Sequence, residues 1–246
     1  MIIEGLPGTK GRRRIHLMRH GAVSYFDARG QRVDDPTAVK LTATGREEAR
    51  AMGRLLAEVP FDRAVCSGLP RTRETAELVL GDRALALEER PDLREIRSGG
   101  TAAFDGADLE HDYAGALERA AEPGARYMGG EVYAEFEARI LPAWEALLAE
   151  PDWTQLLLVC HGIVNRVILS WMIGGNLAQL GLFEQDTGCL NVLDIDMPEG
   201  TPTRKLLRLV NYAPADEVKR EHYLTSLERG LEVMRRRRAA AAAAGG

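Results

Sequence analysis

Residues 155–162 of this chain are Gln-Leu-Leu-Leu-Val-Cys-His-Gly. The five consecutive apolar side chains in this stretch are typical of a strand that is covered on both faces, as in a parallel sheet. The run ends at His161 and Gly162, so an imidazole stands just beyond the carboxyl end of the strand. Open α/β sheets bind their ligands at that end. We therefore predict a buried strand over Gln155–Cys160 with a candidate site residue directly after it.

Predicted strands and helices alternate along the rest of the chain. The other predicted strands cover residues 15–18, 63–66, 85–88, 191–196 and 205–210. The predicted helices cover residues 72–80, 131–150 and 164–172, with a first helix capped by Thr42 or Thr44 and a C-terminal helix from about Asp216. Thr44 and Glu47 have the spacing of a capping box. This alternation favours an α/β fold, a three-layer α/β/α sandwich with a mostly parallel central sheet.

A less regular segment interrupts the alternation between residues 92 and 130. It is rich in glycine and charged side chains and contains a single candidate helix, residues 109–121. Because loops over a sheet often carry function, we predict that residues 99–130, approximately, form an insertion or lid. The other predicted boundaries are an N-terminal extension at 1–13, one domain at 14–234 and a low-complexity C-terminal tail at 235–246.

The composition argues against nucleic acid as a partner. The 246 residues are 45% hydrophobic, enough for a substantial core, and they carry a formal net charge of −5. A net negative field repels phosphate backbones, so no nucleic acid is expected to bind. The four arginines at 235–238 are expected to be solvated. The alternatives for this run are a weak contact with an acidic partner or membrane surface, or association with RNA.

Cysteine content and hydropathy predict the compartment. The three cysteines, Cys66, Cys160 and Cys189, are odd in number and widely spaced, which favours a reduced protein over a disulfide scaffold. No apolar stretch is long enough to span a bilayer, and none follows the arginines at 12–14 as it would in a signal peptide. We therefore expect a soluble, cytoplasmic protein with no membrane partner.

Candidate site residues follow the first four predicted strands. Arg19 and His20 come directly after residues 15–18, and Arg71 lies a few residues beyond the strand at 63–66. Glu95 lies downstream of the third strand, and His161 follows the fourth. Neighbouring parallel strands would bring these side chains together at one edge of the sheet.

A pocket of this composition suits phosphoryl transfer. Guanidinium groups bind a phosphoryl group through several planar hydrogen bonds. One imidazole can attack phosphorus in line, while the second imidazole and the arginines neutralise charge on the other oxygens. A protonated carboxyl group can give a proton to the leaving alcohol and then activate water. This set of groups requires neither a metal nor a cofactor.

These motifs resemble those of the histidine phosphatase superfamily, also called phosphoglycerate mutase-like. The resemblance runs from about residue 15 to residue 210 and rests on four stretches in order: Arg-His-Gly at 19–21, Ser-Gly-Leu-Pro-Arg-Thr-Arg-Glu-Thr-Ala at 67–76, Glu95, and His-Gly at 161–162. The sequence Leu-Thr-Ala-Thr-Gly-Arg-Glu-Glu-Ala at 41–49 is also similar to the family's first-helix start.

The resemblance implies the phosphoglycerate mutase-like fold and a role for each site residue. His20 would become phosphohistidine, and Glu95 would be the proton donor. The phosphate-binding residues would be Arg19, Arg71 and His161, to which we add Gly162 and Ser24.

The chain departs from the family pattern near the predicted nucleophile. Family members often carry a hydroxyl residue and an asparagine where this chain has Val23 and Phe26. Ser24 could partly replace the lost hydroxyl, but the wall of the predicted pocket is more apolar than is usual in the family. The identity of the phosphate ester therefore stays open. Val132 likewise replaces a serine of the family. Glu95 is followed by Ile-Arg-Ser, not by the Arg-His-Tyr-Gly of the mutase branch.

Other titratable residues have simpler interpretations. His16 and His20 are four residues apart, but residues 15–18 are predicted as a strand, not a helix, and no third ligand is evident, so we expect His16 in the core and no metal site. Cys160 is expected to pack inward and Arg73 to be a solvated helix residue. His111 and His222 are expected at the surface.

The sequence thus predicts a hydrolase: a metal-independent phosphatase that acts on a small phosphorylated substrate through phosphohistidine. One alternative is a phosphoglycerate mutase or a sugar bisphosphatase. A second is a non-catalytic phosphoester-binding or regulatory module. The sequence leaves open whether the protein forms a homodimer.

Overall fold

A six-stranded mixed sheet forms the centre of the protein in a computed structural model, which describes residues 11–27, 31, 33–99, 110–214, 216, 219 and 223–244. The strands are β1 (Arg12–Arg19), β2 (Arg63–Cys66), β3 (Leu87–Glu89), β4 (Gln155–Cys160), β5 (Leu190–Asp196) and β6 (Arg204–Tyr212). The helices are α1 (Ala43–Leu55), α2 (Pro70–Leu80), α3 (Tyr133–Ala149), α4 (Gly162–Met172) and α5 (Ser226–Ala244).

The strands lie in the order β3-β2-β4-β1-β5-β6. β1, β2, β3 and β4 are parallel to one another, whereas β5 is antiparallel to both β1 and β6. The prediction of an α/β sandwich with a mostly parallel sheet is confirmed, because three of the five strand pairings are parallel. β4 lies between β1 and β2, which is why its side chains are apolar on both faces.

Alternation along β4 divides the core into two halves. Leu156, Leu158 and Cys160 point to one face, where they pack with side chains of α3 and α4. Leu157 and Val159 point to the other, where they pack with α1 and α2. Complete burial of each of these leucines contributes about 1.5–3 kcal/mol relative to exposure. β4 therefore packs against helices on both faces of the sheet. This packing fixes the position of its carboxyl end.

Local capping sets where the helices begin. Thr42, not Thr44, caps α1, because its side-chain oxygen accepts a hydrogen bond from the backbone N–H of Gly45 at 3.1 Å. α2 begins with Pro70, whose missing N–H costs nothing in the first turn of a helix. α4 begins at Gly162, two residues before the predicted start.

The C-terminal helix also begins later than predicted. Its predicted start at about Asp216 is wrong, and α5 begins at Ser226. The hydroxyl of Thr225 accepts the Glu228 N–H at 3.1 Å, and the Glu228 carboxylate accepts the Thr225 N–H at 2.7 Å. This reciprocal capping box determines the start of the helix. α5 then continues through the predicted domain boundary at residue 234, just as β1 begins inside the predicted N-terminal extension.

The predicted helix over 109–121 is wrong for its described part. Residues 100–109 lie outside the described residues, Glu110–Ala114 form one π-helical turn, and turns follow as far as Gly124. Gly115 lies directly after that turn, where glycine disfavours continuation of a helix. No helix in the described part of the chain has both the length and the apolar character needed to cross a bilayer.

Candidate active site

The carboxyl ends of β1, β2 and β4 bring the predicted site residues together. The β1–β4 register aligns Arg19 with Cys160, and the backbone N–H of His20 donates to the Cys160 carbonyl at 3.0 Å. The rings of His20 and His161 therefore lie side by side, with centroids 5.3 Å apart and planes inclined at 67°. A cavity of about 790 Å³, which we call the site cavity, is lined by His20, whereas His161 is completely buried.

Hydrogen bonding orients the His20 ring for nucleophilic attack. Its Nδ1 lies 2.8 Å from the carbonyl oxygen of Gly21. A carbonyl oxygen can only accept, so Nδ1 carries the proton and the lone pair is on Nε2. His20 is 3% exposed and lines the site cavity. Burial, together with the positive charges of Arg71 and Arg19, holds the pKa of His20 well below its ordinary value of 6.5. The ring is therefore neutral at pH 7.

Close backbone packing fixes the loop that follows His20. A Cβ on Gly21 would collide with the carbonyl oxygen of Gly45, and a Cβ on Gly45 would collide with the backbone of Ala22. The Gly21 N–H also donates to the hydroxyl of Thr75 at 3.1 Å, and that hydroxyl donates to the Arg71 carbonyl at 2.7 Å. These contacts explain why glycine and threonine occur at these positions in the motifs.

Two guanidinium groups, the half-buried one of Arg19 and the buried one of Arg71, line the site cavity. Arg19 Nη1 donates to the Gln185 carbonyl at 2.6 Å, and Arg71 Nη1 donates to the Pro36 carbonyl at 3.2 Å. The Nε atoms of Arg19 and Arg71 are buried and have no hydrogen-bond partner in the described part of the chain. Burying an unpaired donor is costly. An anion placed between these groups would supply the missing acceptors.

A chain of hydroxyl groups fixes the protonation of His161. Thr72 donates to the carbonyl of Leu69 at 2.9 Å and lies 3.0 Å from the Ser67 hydroxyl. Because Thr72 has a single hydroxyl proton, Ser67 must donate to Thr72. Ser67 must in turn accept from His161 Nε2, which lies 2.7 Å away. The neutral His161 ring therefore carries its lone pair on Nδ1, which has no partner in the described residues.

His161 is neutral for the same reasons as His20. It is completely buried, and burial with the charge of Arg71 holds its pKa well below 6.5. Uptake of a proton would place a positive charge beside the His20 ring. An arriving phosphate dianion would favour that proton because opposite charges attract.

Glu95 is held at the start of α4. Its Oε2 accepts from the Ile163 N–H at 3.1 Å, and its Oε1 accepts from the N–H groups of Val164 at 3.3 Å and Ile96 at 3.2 Å. Burial raises the pKa of Glu95 above its ordinary 4.5, against the opposing effects of these hydrogen bonds and of the nearby guanidinium groups. The carboxyl group is therefore easier to protonate than an exposed glutamate.

Gly162 separates Glu95 from Arg19. A Cβ at position 162 would lie 3.5 Å from Arg19 Nε and 3.8 Å from Glu95 Oε2. The absence of a side chain leaves the space between the guanidinium and the carboxyl group open to the site cavity. Gly162 itself lines that cavity.

Ser24 lies at the wall of the site cavity with its hydroxyl used locally. Its Oγ donates to the Phe26 carbonyl at 2.8 Å and lies 3.2 Å from the Phe26 N–H, which donates to it. The hydroxyl thus stabilises the turn after β1. Its contact with phosphate stays a prediction.

The simpler interpretations agree with the described structure. His16 is buried edge-on against Phe61, and burial lowers its pKa to about 4. Cys160 packs into the core, Arg73 is an exposed helix residue paired with Glu89, and His111 is exposed beside Asp112. His222 lies outside the described residues.

One face of α5 also lines the site cavity, and the sequence interpretation missed it. The side chains concerned include Leu227, Val233 and Met234, and Val23 and Phe26 of the turn after β1 line the same cavity. Their helical spacing was visible in the sequence. Only the fold reveals that this face points toward the site.

The chain is similar to known proteins over most of its length. The family model of the histidine phosphatase superfamily (branch 1) matches residues 15–207. An adenosylcobalamin/alpha-ribazole phosphatase of Salmonella typhimurium is 32% identical over 196 residues, which cover 79% of this chain and 95% of the relative. A probable phosphoglycerate mutase of Erwinia tasmaniensis is 29% identical over 65% of this chain and 74% of its own length.

Solved structures share the fold. The alpha-ribazole phosphatase from Shigella flexneri superposes with a TM-score of 0.65 at 28% identity, over 80% of this chain and 96% of that protein. A mycobacterial glucosyl-3-phosphoglycerate phosphatase has a TM-score of 0.65 at 23% identity, over 81% of this chain and 99% of that protein. The second similarity concerns the fold alone.

Proposed function

This chain belongs to the histidine phosphatase superfamily, and from that premise we propose that it is a metal-independent phosphomonoesterase with His20 as its nucleophile. Its substrate would be a small phosphorylated metabolite, hydrolysed through a phosphohistidine intermediate. The observation that supports this most directly is the His20 ring, which is neutral, buried and oriented by the Gly21 carbonyl with its Nε2 lone pair available.

In the first step, His20 displaces the alcohol. The phosphate lies between Arg19 and Arg71, whose unpartnered Nε–H groups donate to its oxygens. Nε2 of His20 attacks phosphorus in line, a P–N bond forms, and the bond from phosphorus to the ester oxygen breaks. The departing oxygen takes the proton of Glu95, so a neutral alcohol leaves.

In the second step, water displaces His20. The ionised Glu95 takes a proton from water, and the water oxygen attacks the phosphorus of phosphohistidine. The P–N bond breaks and returns its electron pair to Nε2, which restores neutral His20 and protonated Glu95. Inorganic phosphate then leaves.

Positive charge from the protein stabilises both transition states. Arg19 and Arg71 provide two fixed cations, and His161 becomes a third when it takes a proton on Nδ1. The hydroxyl chain through Ser67 orients His161 for this role. These three groups supply the charge that a metal ion provides in other phosphatases, so the proposed reaction needs none.

Turnover of phosphate esters by the wild type and His20→Ala tests the proposal. We expect the wild type to release phosphate from at least one ester in a panel of sugar phosphates, phosphoglycerates, nucleotides and phosphorylated cofactors, including alpha-ribazole phosphate. His20→Ala should lose the activity, whereas His111→Ala, which changes an exposed histidine, should keep it. Undiminished turnover in His20→Ala would contradict the mechanism.

A mutase is the second candidate, because probable phosphoglycerate mutases are among the relatives. The Ile-Arg-Ser sequence after Glu95 lacks the mutase signature and favours hydrolysis. The two activities differ in where the phosphoryl group goes. Incubation with labelled phosphoglycerate distinguishes release of inorganic phosphate from movement of the label within the substrate.

A further inference from the structure

The C-terminal helix α5 lies over the site cavity. Leu227, Gly230, Met234 and Arg237 line the cavity, and their spacing of three or four residues places them on one face of the helix. The family match ends at residue 207, so α5 is outside the part of the chain that it covers. This helix is therefore a feature of this chain beyond the matched domain.

Ion pairs and a hydrogen bond connect α5 to two other segments of the chain. Near its start, Arg229 pairs with Asp186 at 2.6 Å, and the Ser226 N–H donates to Glu184 at 3.0 Å. Further along, Arg235 pairs with Glu110 at 2.6 Å. The Arg235–Glu110 pair is exposed and therefore weak, so the contacts of Arg229 and Ser226 near the start of α5 contribute most to its position over the cavity.

Close contacts hold α5 against the neighbouring walls. A Cβ on Gly230 would lie 2.5 Å from the Tyr113 hydroxyl, so this glycine allows the helix to approach the segment that contains Tyr113. Nearer the C-terminal end, the guanidinium carbon of Arg237 lies 4.2 Å from the centre of the Phe26 ring, a cation–π contact. Phe26 stands where the family often has asparagine.

The cavity therefore has two chemically different parts. Arg19, Arg71 and the His20 nucleophile form a part that suits a phosphoryl group, and the cavity is also lined by Arg94, Arg97, Arg139 and Arg166. Its upper wall presents Val23, Phe26 and Met234, whose side chains suit an apolar group. The cavity volume of about 790 Å³ lies in the range of sites that bind drug-sized organic molecules.

We propose that α5 and Phe26 form the alcohol-binding wall, and that this wall makes the protein select phosphomonoesters of large apolar or aromatic alcohols over small polar ones. This inference rests on the proposed function and names the substrate class. Phe26 and Met234 contact the alcohol group. Arg237 is a positioning residue that holds the Phe26 ring.

The ratio of kcat/KM for 1-naphthyl phosphate to that for glycerol 3-phosphate tests the selection. Phe26→Asn and Met234→Gln should each lower this ratio roughly tenfold, through a higher KM for the naphthyl ester, because a hydrophobic contact of this size contributes about that much to discrimination. Arg237→Ala should lower it less, again through KM. Arg236→Ala, on the outward face of α5, should leave it unchanged.

Equal ratios in the wild type, Phe26→Asn and Met234→Gln would overturn the inference, provided that their thermal unfolding shows intact folds. Calorimetric binding to His20→Ala gives a readout without turnover. There, 1-naphthyl phosphate should bind more tightly than glycerol 3-phosphate, and adding Met234→Gln should remove most of the difference. If the wild type hydrolyses neither ester, this binding preference alone decides the inference about the wall, while the full ester panel decides the proposed function.

Discussion

Replacing Glu95 with glutamine should slow the reaction most for esters whose leaving group needs a proton. The carboxyl oxygens accept three backbone N–H groups, two on Oε1 and one on Oε2. Glutamine keeps the acceptor that serves two of them and turns its NH₂ group toward the N–H of Ile163. Leaving that donor without an acceptor costs about 1–3 kcal/mol of folding stability. A domain with about 5–15 kcal/mol of stability stays folded after such a loss.

Glu95→Gln should reduce the reaction rate far more than it reduces the fraction of folded protein. Loss of a general acid slows a reaction roughly 10²–10⁴-fold. The assay is kcat/KM, which covers phosphorylation of His20, for an alkyl phosphate and for p-nitrophenyl phosphate. The alkyl ester should lose at least about a hundredfold, and the nitrophenyl ester less than about tenfold, because nitrophenolate leaves without a proton. Glu89→Gln, at an exposed carboxylate, is the matched control.

The same residue determines one side of the pH profile. Glu95 must be protonated to serve as the acid, and its raised pKa means that activity falls as the pH rises through a value above 4.5. His20 must be neutral, and its lowered pKa places the acidic decline well below pH 6.5. Glu95→Gln should lack the alkaline decline. Equal losses for the two esters, or an unchanged alkaline decline, would refute the role of Glu95 as the proton donor.

Three further predictions concern phosphate binding by Arg71, the backbone packing at Gly21 and the hydrophobic core at Trp144. Arg71→Ala should raise the dissociation constant of inorganic phosphate at least tenfold, measured by calorimetry, while the control Arg73→Ala leaves it within about twofold, because Arg71 lines the site cavity whereas Arg73 is exposed and does not line it. Gly21→Ala should lower the free energy of unfolding by about 1–3 kcal/mol in urea titrations, since its Cβ would collide with Gly45; an unchanged midpoint would contradict the close packing. Trp144→Ala should lower the free energy of unfolding by about 3–5 kcal/mol, because this side chain is completely buried. A loss below about 1 kcal/mol would show that neighbouring side chains fill the space that the indole leaves.

Much of the site could be predicted because strand pattern and strand order act together. The apolar run of β4 identifies a central strand, and any parallel neighbour of β4 must end at the same edge. His20 and His161 could therefore be placed together from their positions at two strand ends. Glu95 was harder to place, because no strand leads directly to it and its position depends on the exposed N–H groups of α4.

The role of α5 could not be predicted because it depends on contacts between distant residues. The apolar side chains of its inner face are interspersed with charged residues and followed by four arginines and an alanine run, so the segment resembles a solvated tail. The ion pair of Arg229 with Asp186 and the contact of Gly230 with Tyr113 decide where it lies. The helix begins at Ser226 and not at the predicted Asp216, because the capping box of Thr225 and Glu228 sets its first turn.

The unpartnered Nε–H groups of Arg19 and Arg71 also link the binding of an anion in the site cavity to the stability of the folded protein. The buried Nε–H groups of these two side chains have no acceptor among the described residues, and burying an unpaired donor costs stability. Any tetrahedral oxyanion that enters reduces this cost, including the inorganic phosphate that the proposed reaction releases. At a hundred times its dissociation constant such an ion would stabilise the fold by about 2.7 kcal/mol. The feature that we propose binds the substrate should therefore also favour inhibition by the product, inorganic phosphate.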